Sequence, residues 1–174
     1  MSYRDTLLTL AGTVETSVVA LWGRLELGEI SPTAFVELAA VAIARGNARA
    51  ATLADVALAT TISAQLGRVV LPMGNTLDVA GDVDRLRGAT ATVVELGTVG
   101  RVARLARSEP LTAAATAYSS GIRESPYVTG WIRQTSGDAC PLCTGWANGD
   151  VMPDTVAMNT HKGCSCIPVP VTTT

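Results

Sequence analysis

The chain's four cysteines, Cys140, Cys143, Cys164 and Cys166, and its one histidine, His161, all fall within residues 138–166. That stretch reads Asp-Ala-Cys-Pro-Leu-Cys, then a loop bearing Gly and Asn, then His-Lys-Gly-Cys-Ser-Cys. A Cys-x-x-Cys turn points two thiolates at one centre and leaves backbone N–H groups to support the sulfurs. His161 and Cys164 would supply the other two ligands of a tetrahedral Zn2+ site. Cys166 is a fifth candidate for four places: it would replace His161 or Cys164, or pack as a small apolar residue. Gly145, Asn148, Gly149 and Pro153 allow the intervening loop to fold back. So small a module buries too little to hold itself together, and a metal would supply folding free energy on the order of 10 kcal/mol. Two other readings stay open. The cysteines are reduced in a packed tail with His161 at the surface, or Cys140 or Cys143 forms a disulfide with Cys164 or Cys166.

Enzymatic uses of the same residues fit less well. A zinc nucleoside deaminase sets His-x-Glu ahead of Pro-Cys-x-x-Cys, whereas here the histidine follows and no His-x-Glu exists. A thioredoxin-like pair belongs between a strand and a helix of a βαβ unit, and the sequence upstream reads as helical. A Ser-His-Asp or Cys-His hydrolase would have to take His161 from the metal. No Walker-type phosphate loop occurs. The expectation is a protein that is not an enzyme, with a thiol-redox enzyme using Cys140 and Cys143 as one alternative.

The elements that must position this cluster are mostly helical. In the 174-residue chain 48% of residues are apolar, 16% are charged and only 4% are aromatic, which favours close-packed helices with small side chains. Leu7, Leu10, Val14, Val18, Leu21, Trp22 and Leu25 form one stripe over residues 3–27, stopped by Gly28. Ser31 and Pro32 read as an N-cap and first helical position, with Ile30 and Phe35 as a hydrophobic staple. The helix they start extends to about residue 65, with Gly46 as a place where it kinks or loosens. Pro72 and Gly74 mark a break. Residues 82–107 form a third helical region, as one helix or as two separated at the glycines. A further helix is expected to restart at Ser108-Glu109-Pro110 and to end at Gly121 and Pro126. Residues 127–135 are rich in β-branched and aromatic side chains and read as a strand. Trp131 and Trp146 would form the apolar floor of the cysteine module. The expected fold is mainly α with a small C-terminal β-containing, zinc-stabilised module: a helical body over 1–125 and a Cys/His module with its tail over 126–174.

A formal net charge of −2 gives no global basic field toward nucleic acid. Arg101, Arg104 and Arg107 recur at three-residue spacing, and a solvated helix face accounts for them better than a phosphate-binding edge. The N-terminus has no leader pattern, and no stretch is expected to span a bilayer, since Arg24, Glu26, Arg45, Arg49 and Asp55 interrupt the candidates. Soluble synthesis in a reducing cytosol follows, and there clustered cysteines serve metals more often than disulfides.

The C-terminal pattern resembles MuF-like phage minor head proteins. The resemblance rests on Trp131-Ile-Arg, Asp138-x-Cys-x-x-Cys, a Gly-containing loop, and His161-x-x-Cys-x-Cys before a Pro-Val tail, and it covers residues 110–171. Family members often end in Cys-x-x-Cys followed by His-Pro-Asn-Cys-Arg-Cys. The ligand positions match, and Lys162, Gly163 and Ser165 depart from the pattern. The resemblance implies a virion component made in the host cytoplasm: a minor head protein present in several copies, acting in head assembly against the portal protein or inner capsid surface, with packaged DNA as a further contact. The main alternative is a zinc-ribbon-like nucleic-acid-binding protein using the Arg101–Arg107 edge.

Overall fold

A computed structural model describes residues 2–135, 137 and 139–173. Asp138, part of the motif above, therefore lies outside the described residues. Four long helices come first: α1 (Tyr3–Glu26), α2 (Pro32–Leu66), α3 (Val79–Leu96) and α4 (Val99–Glu124). Strand β1 (Val128–Gln134), the short helix α5 (Pro141–Trp146), β2 (Met152–Pro153) and β3 (Ile167–Thr172) follow. The protein is thus mainly α with a small antiparallel sheet at its C-terminal end, as expected from the sequence.

Local chemistry sets most helix ends. Ser2 and Asp5 form a reciprocal capping box at the start of α1. The Ser31 hydroxyl accepts from the Ala34 N–H at 3.1 Å, with Pro32 in the first turn of α2. Gly67 (φ 64°) and Gly97 (φ 64°) end α2 and α3 in the left-handed conformation that glycine adopts without a Cβ penalty. The 82–107 region therefore divides at Gly97.

One helical expectation fails. Helix α4 does not restart at Ser108-Glu109-Pro110 but runs through it, and it ends at Glu124, between the Gly121 and Pro126 expected to mark its end. A proline inside a helix removes one hydrogen bond and crowds the preceding turn. The Pro110 ring, however, is fully buried, in the crossing where α4 meets α2. Gly121 faces α2 as well, and a Cβ there would stand 2.5 Å from Leu58 Cδ2. Gly46 likewise does not break α2, which is continuous past it; it lets α1 approach. These residues serve close interhelical contact, which local propensity does not register.

The interior falls into two clusters. One joins Val14, Val18 and Trp22 of α1 with Phe35 and Ile43 of α2, Leu86 of α3 and Val102 of α4. The other joins Leu58 and Ile62 of α2 and Tyr118 and Ile122 of α4 to Trp131, Cys143, Met158, Cys164 and Cys166. The cysteine segment therefore shares a core with the helices. By length and composition alone α1 would cross a membrane, against the sequence expectation that no stretch would. Its buried stripe, Leu7, Ala11, Val14, Val18 and Trp22, packs within the bundle.

The sheet has the order β2-β1-β3, with both pairings antiparallel. Strand β3 carries Pro168 opposite Arg133 and Pro170 opposite Trp131. Prolines demote a segment as a strand from sequence, and β3 tolerates them because it is an edge strand with one face of its backbone unpaired.

Candidate metal centre

Two segments build the centre. The first is the N-terminal turn of α5, where Cys140 is the N-cap and Pro141 occupies the first turn. The Thr144 N–H donates to the Cys140 carbonyl at 3.0 Å, which closes the turn and sets Cys140 and Cys143 on one side. The second is the return loop. Gly163 (φ 80°) turns the chain, and the Cys164 N–H donates to the His161 carbonyl at 2.9 Å. This turn brings the imidazole and the Cys164 thiol each to Cys143, in two different donor groups.

His161 Nε2 lies 3.1 Å from Cys140 Sγ and 3.1 Å from Cys143 Sγ. Cys143 Sγ is also 3.5 Å from Cys164 Sγ. Two overlapping donor groups result, Cys140/Cys143/His161 and Cys143/Cys164/Cys166, each with its ligand atoms within 4.8 Å of one another. Cys143 belongs to both. In a tetrahedral zinc site, bond lengths of about 2.3 Å to sulfur and about 2.0 Å to nitrogen put neighbouring ligand atoms about 3.5–3.8 Å apart. The observed separations are a few tenths of an ångström tighter, so small outward movements admit an ion.

The imidazole is oriented for this role. His161 Nδ1 faces the Lys162 carbonyl at 3.1 Å. An Nδ1–H donated there leaves the Nε2 lone pair directed at the sulfurs, the usual way an outer hydrogen bond fixes a ligating histidine. The sulfurs differ in setting. The backbone N–H of Cys143 is the main group holding the half-buried Cys140 thiol below its ordinary value, helped by the Cys143 thiol and the N–H of Leu142. Burial first, and then the Cys166 and Cys164 thiols, push the Cys143 thiol well up. Backbone support for one sulfur and a crowd of sulfurs around another suit a cation, which favours thiolates where crowding alone disfavours them. All four cysteines are free thiols, so the disulfide pairing considered from sequence is not formed.

Long-range contacts hold the loop in place. Trp131 Nε1 donates to the Val156 carbonyl at 2.7 Å, and Arg133 Nη2 to the Asn159 carbonyl at 2.6 Å. Arg4 Nε, from the first turn of α1, donates to the Ser165 carbonyl between Cys164 and Cys166 at 3.1 Å. Sequence reasoning missed Arg4, which no local pattern ties to the cysteines, and took Arg133 only as part of Trp131-Ile-Arg, without a positioning role. The two tryptophans divide the role foreseen for them. Trp131 is buried beneath the centre. Trp146 is 39% exposed and packs under the Arg133 guanidinium, 5.2 Å from its ring centroid, with the His161 ring 6.5 Å away.

No family model matches the chain, and neither does any curated protein or solved structure.

Proposed function

We propose that the chain is a structural protein whose C-terminal segment is locked by one Zn2+ ion, and that it serves as a virion component of the MuF-like minor head type. The observation that carries the metal reading is the placement of Cys143 and His161. One imidazole nitrogen is equidistant from two sulfurs, and further thiols stand behind one of them. A sulfur-rich set with one imidazole, mostly buried, suits a closed structural zinc site better than the oxygen-preferring divalent ions. Cys140, Cys143, His161 and Cys164 would be the ligands, with Cys166 as the alternate.

The ion's work would be mechanical. It would tie the α5 turn to the return loop, and through the shared core it would hold the sheet against α1, α2 and α4. The virion reading is supported by the resemblance of residues 110–171 to the family's Cys/His block. In that setting the helices would dock on the portal protein or the inner capsid surface, in several copies per particle, without catalysis.

The test has two parts. Metal analysis of the purified full-length protein should give one zinc per chain, and mass spectrometry of purified phage particles should recover the protein. A metal-free protein with an intact fold would overturn the first part, and absence from particles the second. The redox alternative makes a different prediction: disulfide-reductase activity lost in Cys140→Ser.

A further inference from the structure

The fold divides the arginine series of α4. Arg107 Nη1 is held by Glu15 Oε2 of α1 at 3.0 Å. Arg101 and Arg104 make no ion pair among the described residues. They line an open cleft of about 740 Å3 along α3 and α4, and Lys162, the chain's only lysine, lines it with them. Lys162 arrives from the return loop, next to His161, so only the tertiary structure groups the three cations.

Their surroundings are those of an anion site. No carboxylate lines the cleft, whereas the hydroxyl-bearing Thr92, Thr98 and Ser108 do. Three like charges sharing a concave surface repel one another unless a counter-charge is present. Helix α4 begins at the same cleft. Its N-cap Thr98 makes no side-chain capping bond, and its first turn holds no acidic residue. The Arg101 N–H donates to the Thr98 carbonyl at 3.1 Å, and those of Val99 and Gly100 remain as donors at the positive end of a long helix. No atom would come within 4 Å of a Cβ on Gly100, which also lines the cleft, so the backbone is open to approach there.

The donors select the kind of anion. The Thr92 and Ser108 hydroxyls donate to the Gly88 and Leu105 carbonyls, but two guanidinium groups, an ammonium, the Thr98 hydroxyl and two backbone N–H groups still outnumber what the two oxygens of a single carboxylate accept, and they suit the several oxygens of phosphate. No aromatic side chain lines the cleft, so nothing there stacks on a base. We propose that this cleft binds phosphate groups, with Arg101, Arg104 and Lys162 as its cationic lining. The phosphates come either from a free polyphosphate or from the backbone of a nucleic acid, bound without regard to sequence.

The experiment titrates full-length protein at low ionic strength with sodium tripolyphosphate and, separately, with a short DNA duplex of arbitrary sequence. Saturable binding of tripolyphosphate alone supports the site and assigns it to a free phosphate compound. Duplex binding supports it and assigns it to a nucleic-acid backbone when log affinity falls with log salt at about 0.9 per phosphate contact. Arg101→Gln/Arg104→Gln should weaken whichever anion binds by about tenfold or more, and Lys162→Gln by a smaller factor. Arg123→Gln, at the other end of α4, should leave it unchanged. Equal affinities for wild type and the double variant, or failure of both anions to bind, would overturn the proposal. Both arginines are exposed, so unfolding of the double variant should match wild type. Zinc content of the same samples reports separately on the metal centre.

Discussion

A Cβ on Gly46 would stand 2.5 Å from Val14 Cγ2. Helices α1 and α2 therefore approach at this point as closely as their backbones and one valine allow. Gly46→Ala should gain about 1 kcal/mol of helix propensity and lose about 1–3 kcal/mol to overpacking, for a net loss of stability in urea unfolding. Gly88→Ala is the matching control: it lies inside α3, with nothing within 4 Å of its Cβ position. That change should stabilise by up to about 1 kcal/mol. Val14→Ala in the Gly46→Ala background should recover part of the loss, and strictly additive effects would contradict the contact.

Besides the Ser63 hydroxyl, which accepts the Val70 N–H at 2.8 Å, one carboxylate anchors the loop between α2 and α3. Asp55, 5% exposed, accepts the backbone N–H groups of Met73 at 3.0 Å, Gly74 at 2.8 Å and Asn75 at 3.2 Å. Asp55→Ala should cost about 2–3 kcal/mol, because the freed N–H groups are near enough to solvent to rehydrate in part. Limited proteolysis should then cut within residues 68–78 faster than in wild type. Asp55→Asn keeps one acceptor oxygen and should fall between the two.

Cys143 belongs to both donor groups, so its loss should be the most damaging at the centre. Cys143→Ser should abolish stoichiometric zinc binding. Cys166→Ser should retain it if Cys140, Cys143, His161 and Cys164 are the ligands. Native mass spectrometry gives the stoichiometry directly. Chelation of the wild-type protein should speed amide exchange in residues 140–166 before it affects the centre of α2, since the ion ties the loop and burial holds the helix.

Arg4 joins the first turn of α1 to Ser165 and Gln134. Arg4→Ala should raise amide exchange at residues 164–167 and weaken zinc binding without removing a ligand, by about tenfold on the scale of outer-contact losses. Unchanged zinc affinity would show that the loop holds its shape without α1.

Alkaline pH offers a further test. Burial, followed by the neighbouring Tyr118, raises the Tyr3 hydroxyl well above its ordinary 10.0, and burial raises Tyr118 as well. A pKa raised on folding gives stability that is complete below the unfolded value, near pH 10, and is lost as pH rises through the folded value. The protein should hold its stability to about pH 10 and unfold above it. Tyr3→Phe/Tyr118→Phe should move that transition upward, as read by circular dichroism.

How much was legible beforehand depended on how local the cause was. Ser31-Pro32, Gly28 and Gly67 announce helix ends because a cap or a left-handed turn is decided within a few residues. The five metal candidates were visible because their types are rare in this chain and crowd into one stretch. That Cys166 stands with Cys143 and Cys164, and that His161 Nε2 faces two sulfurs, needed the folded loop.

The sequence by itself determined a helical protein with a thiol- and imidazole-bearing end, since side-chain type, periodicity and capping act along the chain. Only the tertiary structure decided that α4 continues through Pro110, that Gly46 and Gly121 are contact residues, that β3 pairs despite its prolines, and that Lys162 joins Arg101 and Arg104 while Arg107 is taken by Glu15. Each of these outcomes turns on the contacts available from a distant segment. Burial against α2 offsets a broken helical hydrogen bond, an edge position spares a missing donor, and a carboxylate on α1 claims one arginine of three.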